Sequence, residues 1–332
     1  MRRVAVRDGV PIVEDFEPGE LGDYEVRIRT EYSAISPGTE LMHLRNKAGF
    51  VLPGYSGVGI VEAIGSAVEH LQPGQRAAVY GVPTHSEIII APKHLTVPVP
   101  NSVDPREAAF AGLGTIAIHA LRQADAHFGE SLLIVGLGIL GQLVAQVGYA
   151  ASSIVLATDK LETRRRAANQ CMPTAYVASS DQMLAEQLKK HTERGEGVDC
   201  VLLCAGGRND TLLDQSIGWL RDRGRIVIVG VPNPTFNRNA LFSKEVDIRI
   251  SRAGGPGRYD EIYEQSGVDY PLGYVRWTEG RNLAAYIRLL QEQRITVNPM
   301  ITSEWSLSEI GEAYRRCSEV SGNELGVLLK IG

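Results

Sequence analysis

Three glycines stand close together in Gly136-Leu137-Gly138-Ile139-Leu140-Gly141, directly after the apolar run 131–135 and directly before a run with helical period over 140–150. Strand, glycine loop and helix in that order make a cradle for a dinucleotide pyrophosphate. The first glycine makes the turn, the second lets backbone approach the phosphates, and the third lets helix and strand pack. The partial positive charge of the helix N-terminus then holds the phosphates. Asp159 ends the next apolar run, 18 residues past Gly141. An acidic group there accepts a ribose 2′-hydroxyl and repels a 2′-phosphate, which makes NAD the expected cofactor. Lys160 follows at once, and Arg164 to Arg166 lie one helical turn on. That basic group either serves NADP instead or is a solvated helix face.

The elements that position this loop can be read outward from it. Strand-like runs at 131–135, 154–158, 175–177, 200–204 and 225–229 alternate with helical runs at 140–150, 161–170, 181–190 and 211–220. Such βαβ alternation means a doubly wound parallel sheet covered on both faces. The first hundred residues are different. Short β-like runs at 3–6, 25–30, 57–64, 75–79, 87–90 and 96–99 are separated by Pro-Gly pairs at 18–19, 37–38, 53–54 and 73–74, which suggests a small barrel or sandwich. An Ala-rich helical stretch over 105–124 links the two patterns. After an aperiodic segment at 254–279, rich in Gly, Tyr and Arg, the chain ends in helices at 281–291 and 307–317 and a strand at 325–331.

The 332 residues suggest two domains. Lys plus Arg number 34 against 39 Asp plus Glu, a net charge of −5, which argues against nucleic acid as a partner. No apolar run approaches the roughly 18–20 residues of a membrane helix. No apolar segment of a secretory signal is visible at the N-terminus. Four sparse cysteines (Cys171, Cys200, Cys204 and Cys317) fit a reducing cytoplasm.

Several further motifs carry a resemblance. They are Ile35-Ser36-Pro37-Gly38-Thr39-Glu40, the stretch 53–61, the turn 72–76, the helix 108–120, the strand Arg223 to Gly230 and the segment 298–307. In this order they resemble the medium-chain dehydrogenase/reductase superfamily over nearly the whole chain. The resemblance implies an α/β protein: a GroES-like β-rich catalytic domain at 1–118, completed by 272–332, and a Rossmann domain at 119–271. It also implies that Thr115 lines the nicotinamide, that Cys204 and Ala205 end a strand beside the cofactor, and that Val229, Gly230 and Val231 meet its nicotinamide side. Thr115 alternatively bonds its own helix backbone.

Zinc alcohol dehydrogenases of this superfamily hold their metal with a Cys, a His-Glu pair and a third ligand. Those positions here are Pro37, Tyr55-Ser56 and the neighbourhood of Leu113. None supplies thiolate, imidazole or carboxylate, so no zinc is expected. Glu40 and His43 are two metal-type residues and do not make a site. A side chain must then move the alcohol proton. Tyr55, at the vanished His position, is the candidate, with His43, Arg45 or Lys47 supplying a cation or serving as base. Thr39 is a relay hydroxyl, and Glu40 orients a cation or binds substrate. Tyr55 alternatively fills the vacant metal position as packing.

The stretches 255–260 and 269–279 resemble zinc-lacking dehydrogenases of bacterial sugar, cyclitol and exopolysaccharide pathways, whereas 35–40 and 53–56 resemble the bacteriochlorophyllide dehydrogenase group. The longer motif favours a sugar-like or polyol substrate, with Arg258 and Tyr259 as substrate contacts. The rest of 258–279, rich in Tyr, Trp and Arg, suits a subunit interface, and a homodimer or homotetramer is expected. The rival readings are a zinc-free enone or quinone reductase, a bacteriochlorophyllide-type dehydrogenase and a non-catalytic dinucleotide-binding protein.

Overall fold

The computed structural model describes residues 1–46, 49–206, 211–231, 235–319 and 324–332. Two compact units emerge: Met1–Thr115 with Gly254–Gly332, and Ile116–Ala253.

Along the chain the first unit begins with β1 (Arg2–Arg7), β2 (Val10–Asp15), β3 (Glu25–Ile35), α1 (Pro37–Arg45), β4 (Phe50–Val51), β5 (Ser56–Ile64), β6 (Arg76–Tyr80), β7 (Ile88–Pro92), β8 (Thr96–Pro98) and α2 (Pro105–Ala108). Helix α3 (Ala111–Ala124) starts in this unit and ends in the next. There follow β9 (Ser131–Val135), α4 (Ile139–Ala150), β10 (Ile154–Thr158), α5 (Glu162–Cys171), β11 (Tyr176–Ala178) and α6 (Asp181–His191). The second unit closes with β12 (Val198–Leu203), α7 (Leu212–Trp219), β13 (Leu220–Ile228), α8 (Arg238–Lys244) and β14 (Asp247–Ile250). The return to the first unit adds α9 (Glu261–Glu264), α10 (Glu279–Gln291), β15 (Ile301–Ser306), α11 (Ile310–Cys317) and β16 (Gly326–Lys330).

The first unit is built on a seven-stranded sheet in the order β15-β16-β3-β5-β6-β8, with β7 paired to β3. Its pairings are antiparallel except β15 with β16. Strand β3 shows why it forms: Val26, Ile28 and Thr30 alternate inward, and the first two pack with Val61, Val79 and Ile89. A smaller sheet, β2-β1-β4, carries the N-terminus.

The second unit has one parallel sheet in the order β11-β10-β9-β12-β13-β14. A central strand covered on both faces needs an unbroken apolar run. In β9 that run is Leu132, Leu133 and Ile134, each wholly buried. The chain reverses its direction of winding between β9 and β12, the switch point where doubly wound folds bind ligands. The structure starts β13 earlier than the expected 225: Leu220 follows α7 at once and pairs with Val198.

Candidate active site

In the second unit the glycine loop leaves β9 at Gly136, whose φ is 93°, and enters α4 with Gly138 as its N-cap. A Cβ on Gly141 would lie 1.8 Å from the carbonyl oxygen of Gly136. No other residue fits there, because helix and loop touch backbone to backbone. Ile139 is buried in the first turn and Leu140 half-buried. The Asp159 carboxylate braces the loop: Oδ2 accepts the Leu137 N–H at 2.7 Å and Oδ1 the Leu161 N–H at 2.8 Å. Arg164 Nη1 stands 3.5 Å from the same carboxylate and 3.8 Å from where a Cβ of Gly138 would be. Its Nε is buried with no partner. A pyrophosphate or ribose oxygen suits that guanidinium. Lys160 is exposed, and Arg165 binds the carbonyls of Asp159 and Lys160.

The ends of β12 and β13 meet beside this loop. The N–H groups of Cys204 and Ala205 donate to the Val135 carbonyl, both at 2.9 Å, and those of Val229 and Gly230 donate to Leu203. Desolvation pushes the Cys204 thiol up to about 12, so it is no nucleophile at neutral pH. Val231 is exposed. Thr115, in the first unit, is wholly buried and donates to the Ala111 carbonyl at 2.8 Å, the backbone alternative.

In the first unit β3, α1 and β5 bring a polar network together. Pro37 sits in the first turn of α1, where its missing N–H costs nothing. The Tyr55 hydroxyl donates to Ser36 Oγ at 2.6 Å. Glu40, 2% exposed, accepts the Ser36 N–H at 2.9 Å, the Tyr314 hydroxyl at 2.8 Å and shares a 2.9 Å contact with His85 Nε2. His85 Nδ1 lies 2.7 Å from Ser33 Oγ, itself 2.7 Å from Thr84 Oγ1. Five side chains thus satisfy one another away from water, as a buried polar group requires.

Desolvation of its hydroxyl pushes Tyr55 up to about 12; bonds to Ser36 and Thr39 pull it down, and Glu40 pushes it further up. Among the described residues, Glu40 is the carboxylate that acts on Tyr55. Thr39 is exposed yet close enough to bond Tyr55. His43 is half-buried on α1 and, among the described residues, makes no hydrogen bond or ion pair. Lys47 lies outside the described residues. Glu40 bonds His85 and Tyr314.

A second cluster joins the loop after Gly254 to β6. Arg258 donates to Glu264 at 2.8 Å and to the Gly81 carbonyl at 3.0 Å, and its guanidinium lies over the Tyr80 ring. The same guanidinium lies 4.5 Å from the centroid of the Tyr259 ring, a residue 59% exposed. Tyr80 meets Tyr55 edge to face with centroids 6.2 Å apart. Sequence reasoning missed Ser36, Tyr80, Glu264 and Tyr314. The spacing of Arg258 and Glu264 gave no signal, because a short helix and a turn join them.

The family model for zinc-binding dehydrogenases matches residues 136–266. A sorbitol dehydrogenase of Halalkalibacterium halodurans is 24% identical over 74% of this chain and 64% of its own length. A D-xylulose reductase of Morganella morganii is 22% identical over 95% of this chain and 97% of its own. The solved galactitol-1-phosphate dehydrogenase of Escherichia coli superposes with a TM-score of 0.81 at 19% identity, covering 99% of this chain and 100% of that one. Residues 136–266 thus match the zinc-binding dehydrogenase family, and the whole chain has the fold of the solved medium-chain dehydrogenases.

The superfamily's zinc has no fitting donors here. Pro37 has none to offer, the Tyr55 phenol keeps its proton and bonds Ser36, Ser56 spends its hydroxyl on the Ala109 carbonyl, and Leu113 is buried. Glu40 and His85 satisfy each other. Among the described residues no group of three or more His, Cys, Asp or Glu converges. The dinucleotide, in contrast, fits the Gly136–Gly141 loop, the α4 N-terminus and the buried, unpartnered Nε of Arg164.

Proposed function

We propose that this chain is a zinc-independent, NAD-dependent alcohol dehydrogenase or ketone reductase. Hydride passes between the nicotinamide C4 and a secondary alcohol carbon of a sugar, nucleotide-sugar or cyclitol. The observation that carries the reading is the Tyr55–Ser36 hydroxyl pair, with Tyr55 at a position where the superfamily has a metal ligand. Bound nicotinamide supplies the two-electron hydride chemistry. The chain's own groups handle the proton. Tyr55, pushed up to about 12, stays a neutral phenol at working pH, and its O–H would turn from Ser36 Oγ to donate to a substrate oxygen. Reduction of a ketone would leave a strongly basic alkoxide that takes the phenol proton, and water would reprotonate the phenolate. Reduction is the direction this hydroxyl serves. Arg258 and the exposed Tyr259 ring offer donors and an apolar face to a hydroxyl-rich ligand. Asp159 favours NAD over NADP. The outer strand β14 leaves Ile250 71% exposed, which supports pairing of two subunits into a dimer or tetramer.

The test is NADH formation and consumption across a panel of polyols and their ketones, run with a strong chelator. Turnover on any of them with undiminished rate supports the reading; loss of turnover on chelation overturns its metal-free part. A second reading draws on Tyr55 as well. Hydride addition to a conjugated carbon needs no base for an alcohol, and a phenol pushed up to about 12 is a poor one. Turnover on enones or quinones with no polyol activity selects that reading instead.

A further inference from the structure

Helix α10 begins inside the first unit, and its first residue, Glu279, is wholly buried. The Thr278 side chain caps the helix and the Glu279 N–H donates to the Pro256 carbonyl at 2.8 Å. Neither carboxyl oxygen of Glu279 meets a hydrogen-bond donor. A carboxylate so placed is among the costliest groups a fold can bury. Its surroundings are tight: a Cβ added at Gly254 would lie 2.7 Å from the Tyr80 ring, 2.8 Å from Thr115 Cγ2 and 3.0 Å from the Glu279 Cβ.

The neighbour in reach of the Glu279 carboxyl is another carboxyl. Glu264 stands within hydrogen-bonding reach and also repels it by charge. Glu264 in turn accepts from Arg258 at 2.8 Å and from the Tyr259 N–H at 2.8 Å. A buried carboxyl with both oxygens unpartnered, beside a second carboxyl, is reconciled by a single proton between them. Burial then pushes Glu279 up to about 9, against the pull of Arg258. The other groups facing this site are Tyr80 from β6, and Tyr263 and Tyr270, both neutral phenols pushed up to about 12. Lys93 and His94 pack on the same helix, with His94 stacked on Tyr263, and Glu107 lies against Tyr286 further along it.

We propose that Glu279 is a positioning residue that shares one proton with Glu264, and that this proton keeps Arg258 and Tyr259 in place to bind a hydroxyl-rich substrate. The role in substrate binding rests on the dehydrogenase reading above; the shared proton does not. Glu279 has no route outward, whereas the Glu264 side chain is partly exposed. When the proton is lost, repulsion drives Glu264 toward solvent and the 258–264 segment loosens with it. Glu279→Gln keeps the shape of the neutral carboxyl and removes the event.

Infrared difference spectra between about pH 7 and about pH 10 read the proton directly. The wild type loses one protonated-carboxyl band near pH 9, Glu279→Gln lacks the band, and Glu264→Gln moves the loss to lower pH. No such band in the wild type, or an unmoved one in Glu264→Gln, overturns the pair, whatever the enzyme turns over. Hydrogen exchange of 258–264, corrected for intrinsic rates, is expected to rise across the same range in the wild type and stay flat in Glu279→Gln; equal behaviour overturns the hold on Arg258. On a working substrate, KM rises roughly tenfold over that range in the wild type and stays level in Glu279→Gln. A KM rise of equal size in both overturns substrate positioning. Absence of turnover counts against the dehydrogenase reading and leaves the infrared and exchange results to decide the pair.

Discussion

Tyr55 and Glu279 are both held neutral by burial, yet the consequences differ. Tyr55 reaches about 12 and keeps its proton throughout the physiological range. Tyr55→Phe is expected to lower ketone reduction by roughly 10²–10⁴-fold while NADH binding, followed by fluorescence titration, stays as it is. Glu279 carries a stability signature as well. Its folded value, about 9, lies above the ordinary carboxylate value of 4.5, so the native state holds a proton the unfolded chain has released. Stability from this group is present below the lower value and is lost as pH rises toward the upper one. The limiting slope is roughly 1.4 kcal/mol per pH unit. Glu279→Gln should therefore melt higher than the wild type near pH 8, and the gap should close as pH falls toward 5. An equal gap at both values would remove the argument. Sequence alone marked Tyr55, Thr39 and Glu40 because they stand in motifs. Glu264 stood in none, and its significance comes from a fold that sets Arg258 and Glu279 against it.

At the scale of elements the glycine loop was the most legible part of the chain. Three glycines, an apolar strand and a helical period are local features, and each has its own physical cause. The geometry sharpens the consequence: Gly141→Ala puts a methyl 1.8 Å from the Gly136 oxygen. This variant should abolish dinucleotide binding, measured by NADH fluorescence, and lower the melting temperature too. Less local elements were not legible. Strand β2 contains Pro11, a poor strand residue, and exists because it lies at the edge of a small sheet against β1. Helix α1 reads as a turn from its Pro-Gly start, and Leu41 anchors it in the core of the first unit. Strand β15, Ile301–Ser306, alternates half-buried and exposed residues and forms because β16 lies beside it. Asp159 read as a ribose acceptor; the fold also uses it to fasten Leu137 and Leu161. Asp159→Ser is thus expected to weaken NAD and NADP binding together, with the larger loss for NAD, in paired titrations.

On the scale of the whole molecule, the expected outcome of metal removal is no outcome. Dialysis against a strong chelator should leave both the melting temperature and turnover unchanged, and metal analysis should find less than one zinc per chain. Saturating NAD should raise the melting temperature instead, since ligand at about 100 times its dissociation constant adds roughly 2.7 kcal/mol. Among the described residues no helix is long and apolar enough to cross a membrane.

The first unit is assembled from two distant stretches of chain, with the second unit in between. Val327 pairs with Ile35, and the Tyr314 hydroxyl reaches Glu40. During synthesis, strand β3 therefore emerges long before the strand that covers one of its edges. Residues 116–253 are continuous and can fold on emergence, but the chemistry-bearing network must wait for α11. Until then Glu40 is a buried acid short of a donor, beside an open sheet edge. Contacts this remote in sequence form slowly. The interval is when the nascent protein is most exposed to chaperones and to aggregation.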